Sequence, residues 1–302
     1  MKELIKKIHN DNFRWYDFWG VSLLITFCAF NLAPYIGFLL IMGVLRLSGI
    51  MGVPIDTSDP FTQITCQYML FSGIWIFIVL VLLLIKPEKE FLAKIGPKTK
   101  GNNWRLFLIG IVAGFAANMI CIVAALLNKD IAVYFDKIQP LKSIVVFLAV
   151  FVQSSAEELV CRGYIYNKLR RGYRHPAVAI IGNALLFGSI HLKNNGVTPL
   201  AIAVIVLFGI WASLIVYYFD SIWCAMALHT AWNYTQNVLM GLPNSGIVFD
   251  FSIFKLDVAS ARDSFAYNVK FGVESTIMCL IVMFVGIGLT IFLGQRRKPA
   301  QA

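Results

Sequence analysis

Apolar stretches of about 20 residues, divided by short polar or basic links, recur along nearly the whole chain, and each is long enough to cross a bilayer as a helix. The first covers about 19–45, where Asn31 and Pro34 predict a kink. It is too long for the apolar core of a signal peptide and has no small-residue cleavage site, which predicts an uncleaved first span. Further stretches cover about 64–85, 106–127 and 141–168, the last running on to Arg170 and Arg171. At nearly 30 residues this fourth span must tilt or project from the membrane. The later ones cover about 177–191 (opened by Pro176 at a helix-start position), 199–218, 222–239 and 273–293. A polar loop of some thirty residues, 241–270, precedes the last. The pattern predicts an all-α, polytopic membrane helix bundle with about eight transmembrane helices.

Composition agrees: of 302 residues, 59% are hydrophobic and 14% charged. The six cysteines stand singly, without metal spacing or a disulfide framework, and read as small packing residues. The net charge of +10 does not form a nucleic-acid footprint, because the basic residues flank the spans. With the amino terminus inside, the inner segments hold 17 Lys and Arg, as four, six, four and three in chain order. The outer segments hold eight: Arg46, Lys129, Lys137, Lys142, Lys193, Lys255, Arg262 and Lys270. Both termini are therefore expected in the cytoplasm.

Against this background, three charged residues inside the fourth span stand out: Glu157, Glu158 and Arg162. A charge at membrane depth costs about 2.5–3.5 kcal/mol on insertion scales and marks a functional position by default. Glu158 and Arg162 are four apart and share a helical face, so they can pair. Glu157 points about 100° away and has no local partner. The competing interpretation is a buried ion pair that only orders the bundle.

Three more polar positions interrupt later spans. His191 follows Phe187 at a spacing of four, which sets the aromatic ring beside the imidazole. His229 and Asn233, also four apart, project from one face. A rise of about 1.5 Å per residue puts Glu157 roughly 16 Å, His191 roughly 21 Å, His229 roughly 10 Å and Asn233 roughly 17 Å from the inner boundary. All four fall between the inner half and the middle of the bilayer and can converge on one polar cavity. Singly, each is an ordinary helix–helix hydrogen-bonding group. Together, a carboxylate, two imidazoles and an amide are the parts of water-activating hydrolysis, with Glu or His as base and a second His with Asn as oxyanion donors.

In these residues the chain resembles the CAAX prenyl endoprotease and bacteriocin-processing (CPBP, Abi) family of intramembrane proteases. The family's Glu-Glu-x-x-x-Arg, Phe-x-x-x-His and His-x-x-x-Asn motifs are matched, in order, by Glu157-Glu158…Arg162, Phe187…His191 and His229…Asn233. The resemblance covers about 141–233 and departs mildly at Cys161, where family members often carry Phe. It implies an eight-helix core, with residues 1–140 supplying helices one to three and a basic cytoplasmic loop, and residues 141–302 the catalytic core. It also implies that Glu157, helped by His191, activates water, that His229 and Asn233 hold the oxyanion, and that Glu158, Arg162 and Phe187 support them. A zinc ion on two His and a Glu stays open, although no His-Glu-x-x-His helix is present. A mechanism without a metal suits the oxyanion roles better, and no cofactor is assigned.

The expected function is an intramembrane endopeptidase acting on a membrane-associated leader, signalling or lipid-modified peptide, or on a membrane protein, in a bacterial cell membrane. Its partners are that substrate and the lipid bilayer, with no nucleic acid; oligomeric state is not specified by the sequence. A regulator or immunity-type adaptor that only binds a protein has no need of Glu157, His191, His229 and Asn233 together. A proton-coupled transporter would be expected to show inverted repeats or broken-helix pairs, which are not visible. The topology has a direct check. Single cysteines placed by Lys129→Cys and Asp257→Cys should react with an impermeant maleimide on intact cells, and Lys94→Cys and Arg171→Cys only after permeabilisation. Labelling of the latter two from outside contradicts it.

Overall fold

The computed structural model describes residues 8–296; Lys2, Lys6, Lys7, Arg297 and Lys298 of the basic count lie outside them. Among the described residues, six helical stretches are long and apolar enough to cross a membrane: Trp19–Ile50, Pro60–Leu84, Trp104–Leu127, Pro140–Gly172, Pro199–Phe219 and Ile277–Gln295. The other two expected spans are present but different in kind. Pro176–Ile190 is apolar and only 15 residues long. The 222–239 stretch is a 12-residue helix running into a π-helical turn, almost wholly buried among its neighbours. A helix wrapped by others need not be apolar all round, which is why it can carry His229 and Asn233.

The helices are labelled here in chain order. The first crossing is α1 (Trp19–Asn31) and α2 (Pro34–Ile50), broken at the predicted place. The second starts at Pro60, not 64, and is also broken, into α3 (Pro60–Met69) and α4 (Ser72–Leu84). The breaks pack on each other: a Cβ at Gly37 would collide with the Leu70 carbonyl, and one at Gly73 with that of Ala33. Next come α5 (Glu90–Ile95) inside the basic loop, α6 (Trp104–Leu127) and β1 (Val133–Phe135). The motif-bearing crossing is α7 (Pro140–Glu158), a π-helical stretch Leu159–Ile165, and α8 (Tyr166–Gly172). Then follow α9 (Pro176–Ile190), α10 (Pro199–Phe219), α11 (Ile222–Asn233), β2 (Phe254–Leu256) and α12 (Ile277–Gln295).

Helix α11 is the centre of the bundle, packed on α6, α7 and α10. Its closest approach is to α6, where Gly110 and Gly114 lie one turn apart: a Cβ on either would strike the Cys224 or Leu228 carbonyl. Small residues four apart let two membrane helices meet backbone to backbone, and here they fix the helix that carries His229.

The two ends of the bundle differ. The end that bears both described termini is tied by Arg171 to Asp17, Glu88 and Glu90, by Lys94 to Asp220, and by Trp223 Nε1 donating to the Ile95 carbonyl. At the opposite end, residues 241–276 are not the open polar loop that composition suggests. They form a folded cap that buries Leu242, Phe251, Tyr267 and Phe271 and pairs β2 antiparallel with β1. Buried Asp130 anchors this cap, accepting hydrogen bonds from Arg262 Nε at 3.2 Å, Asn128 Nδ2 at 2.9 Å and Ser264 Oγ. Burial works against the Asp130 charge, but these donors outweigh it and hold the carboxyl below its ordinary value.

A group with a lowered folded pKa stabilises above its unfolded value, near 4, and loses that contribution as pH falls through the folded value. Hydrogen-exchange protection of residues 258–268 should therefore be full above about pH 5 and fall below about pH 4. Asp130→Asn should weaken the cap by about 2 kcal/mol at pH 7 and flatten this acid step. An unchanged step in the variant contradicts the assignment.

Candidate active site

Glu157 and Glu158 occupy the last turn of α7, at the point where the backbone widens into the π-helical stretch. Asn167 Nδ2 donates to the carbonyls of Arg162 and Gly163, at 3.1 and 2.9 Å, serving acceptors that the changed ladder leaves available. His229 and Asn233 sit likewise at the end of α11, before the π-helical turn Tyr234–Leu239. Single π-helical turns inside α-helices are rare and recur at functional sites. Two of the three motif helices, α7 and α11, have one.

The four-residue spacing forms the expected pair: Arg162 Nη1 donates to Glu158 Oε1 at 3.0 Å, and both residues are 0% exposed. Arg162 Nη2 donates to the Gly209 carbonyl at 3.0 Å, and the guanidinium lies 4.6 Å from the centre of the Phe187 ring. The pair does more than neutralise itself. His229 Nδ1 lies 3.0 Å from the same Glu158 Oε1, so Nδ1 carries a proton and donates it. The other ring nitrogen, Nε2, then faces Glu157 Oε2 at 3.9 Å. Phe208 and Phe187 stand edge-on to the imidazole, with ring centres 5.0 and 6.0 Å away.

Glu157 is less isolated than its sequence position suggests. Gln153, one turn earlier, donates Nε2 to Glu157 Oε1 at 2.6 Å. Gln153 Oε1 in turn accepts from Asn233 Nδ2 at 3.1 Å and Ser154 Oγ at 3.1 Å. One amide thus joins the carboxylate to the asparagine. Glu157 Oε2 is buried and unpartnered, the state expected of an atom kept for a reactant. Asn233 Oδ1 accepts from Asn244 Nδ2, which also reaches Glu274. Glu274 takes further bonds from Trp232 Nε1 at 2.9 Å and from the Ser245 backbone and hydroxyl, both at 2.7 Å.

His191 caps α9, with Nδ1 2.9 Å from the Phe187 carbonyl and its ring centre 4.9 Å from that of Phe187. It lines a cavity of about 460 Å³ together with Glu157, His229 and Asn233. All four expected reactive residues thus share one cavity, while Glu158 and Arg162 lie behind its wall. The cavity extends from the middle of the bundle to loops at the capped end. Among the described residues no three His, Cys, Asp or Glu side chains gather as a metal-binding group, so the set does not fit a zinc ion.

Gln153, Asn244 and Glu274 were not singled out in the sequence. Gln153 has a readable signal, an amide four residues before Glu157 on the same face. Asn244 and Glu274 have none, because the folding of the cap brings them in. The geometry separates support from reactivity. Arg162→Ala would leave Glu158 buried without its cation, a loss of about 3–5 kcal/mol. Glu157→Gln keeps the shape and the contact to Gln153. Thermal unfolding in detergent should show a large drop for the first and little change for the second, and equal drops contradict the division.

Residues 139–235 match a family model described as Rce1-like, type II CAAX prenyl endopeptidase. No curated protein and no solved structure matches the chain. The matched segment contains Glu157, Glu158, Arg162, Phe187, His191, His229 and Asn233, and leaves Asn244 and Glu274 outside. The part of this membrane-helix bundle that holds the converging acid, imidazole and amide groups is thus similar to an Rce1-like domain, in agreement with the family its motifs resemble.

Proposed function

We propose that this protein is an intramembrane endopeptidase that hydrolyses a peptide bond with water activated by Glu157. One observation carries the reading: a buried carboxylate oxygen without a partner, Glu157 Oε2, faces an imidazole nitrogen at 3.9 Å inside a cavity large enough for a peptide segment. Water bound between Glu157 and His191 gives a proton to the carboxylate as its oxygen attacks the carbonyl carbon. The proton then passes to the leaving amide nitrogen as the C–N bond breaks.

His229 and Asn233 are assigned to the oxyanion. With Nδ1 held by Glu158, His229 presents Nε2 to the cavity and donates from it when both ring nitrogens carry protons. Asn233 must exchange one of its Nδ2 bonds, to Gln153 or to Ser154 at 3.2 Å, for the oxyanion. Gln153 sets the orientation of both Glu157 and Asn233. The low dielectric around them strengthens every such bond.

Purified protein in detergent, given a peptide library read by mass spectrometry, should cleave without ATP. Glu157→Gln, His191→Ala and His229→Ala should each abolish cleavage, and Asn233→Ala should leave a trace, since one lost oxyanion donor costs about 100- to 1,000-fold. Gln153→Ala should lower the rate without lowering folded yield. Full cleavage by Glu157→Gln would discard Glu157 as the base, and no cleavage by the folded wild type would favour a protein that works by binding.

A further inference from the structure

The cavity is closed toward one end of the bundle, while exposed Leu23, Phe27 and Asn31 of α1 and Gln67 of α3 leave it open along one side. Apart from Phe71 at the break between α3 and α4, the loop residues that line it belong to the end opposite the described termini, among them Leu192, Lys193 and Asn194 from one link, and Asn244, Ser245, Ile247 and Phe249 from the cap. No lining residue comes from the terminal end, that is, from 8–18, 86–103, 168–176 or 218–222, among the described residues. Toward that end the cavity has a floor. Residues 153–169 are buried without interruption, and below Glu157 lie Leu159, Cys161, Ile165, Tyr166 and Leu169, each 0% exposed. The Arg171 cluster with Asp17 and Glu88 closes the end beneath them. The mouth, by contrast, has Leu192, Lys193 and Ile247 exposed. Asn194 donates to the Ser245 carbonyl across it, so the two links form one rim.

The basic residues give this asymmetry a direction. Among the described residues the terminal end carries 12 Lys and Arg against eight at the opposite end, and the richer end is the one expected in the cytoplasm. We infer that the cavity opens on the extracytoplasmic side, so that its substrate is a translocated peptide whose scissile bond is presented at the outer face of the membrane. A carboxyl-terminal tail held in the cytosol meets the closed end. The inference rests on the endopeptidase reading for its substrate and on geometry and charge for its side.

Sidedness is tested in intact cells with an impermeant maleimide on the full chain carrying Lys193→Cys, Ile247→Cys or Lys98→Cys. The wild-type chain serves as the blank for native cysteines. Positions 193 and 247 should label at least about tenfold more than position 98, and permeabilisation should remove the difference. Labelling of 193 and 247 only after permeabilisation, labelling of all three from outside, or no labelling of 193 and 247 at all overturns the inference. A bulky polymer maleimide added outside sealed vesicles should also block peptide hydrolysis by the Lys193→Cys protein. Hydrolysis with inside-only labelling refutes the outward opening and spares the endopeptidase. Outside labelling with no hydrolysis in detergent does the reverse.

Discussion

A guanidinium with no access to water sets the terms for the site. Arg162 is fully buried, and leaving it or Glu158 alone there would cost several kcal/mol. Three acceptors therefore surround it: the Glu158 carboxylate, the Gly209 carbonyl and the face of Phe187. Each comes from a different helix, α7, α10 and α9, so satisfying one charge fixes three helices relative to one another. The Glu158 oxygen that neutralises Arg162 also receives Nδ1 of His229 from α11. A structural necessity thus becomes a device for orienting an imidazole, and four elements of the bundle meet at one carboxylate.

Close packing makes this possible. Gly110 and Gly114 bring α6 against the backbone of α11, so His229 stands on a helix with little freedom to shift. The backbone widens within the first motif, at 159–165, and just after the third, at 234–239, which offsets the following residues from regular helical register. On the far side of the cavity the fit is looser. Its walls there are α1, α3 and the cap, and Glu157 Oε2 is left without a partner. Rigid support behind and an open face in front are what a site needs that must admit a peptide and still hold donors for a developing charge.

Much of this was legible in the sequence because membrane depth makes polar residues conspicuous. Glu157, Glu158, Arg162, His191, His229 and Asn233 stood out against apolar runs, and helical spacing alone paired Glu158 with Arg162. The break near Pro34 was visible for the same reason. The break at Leu70–Phe71 was not, because no proline marks it and its cause is tertiary: α3 and α4 fit around the first crossing. The cap was hidden because its buried residues, such as Leu242, Phe251 and Tyr267, lie in a stretch whose polar composition suggests solvent. Its contribution through Asn244 and Glu274 depends on contacts over long sequence distances, and no local pattern encodes those. The role of Glu158 was half legible. Spacing gave its cation, while only the fold gave its bond to His229.

The most direct measurement separates the two duties of Glu158. In the double variant Glu158→Gln, Arg162→Met both buried charges are removed together, which by itself is commonly neutral or even stabilising. Unfolding temperature and peptide cleavage should be measured on the same purified sample. The network described here predicts unfolding near that of the wild type with cleavage lost, because His229 no longer has a carboxylate on Nδ1. Cleavage at the wild-type rate in a folded double variant would contradict it, and would reduce the buried pair to a device for ordering the bundle.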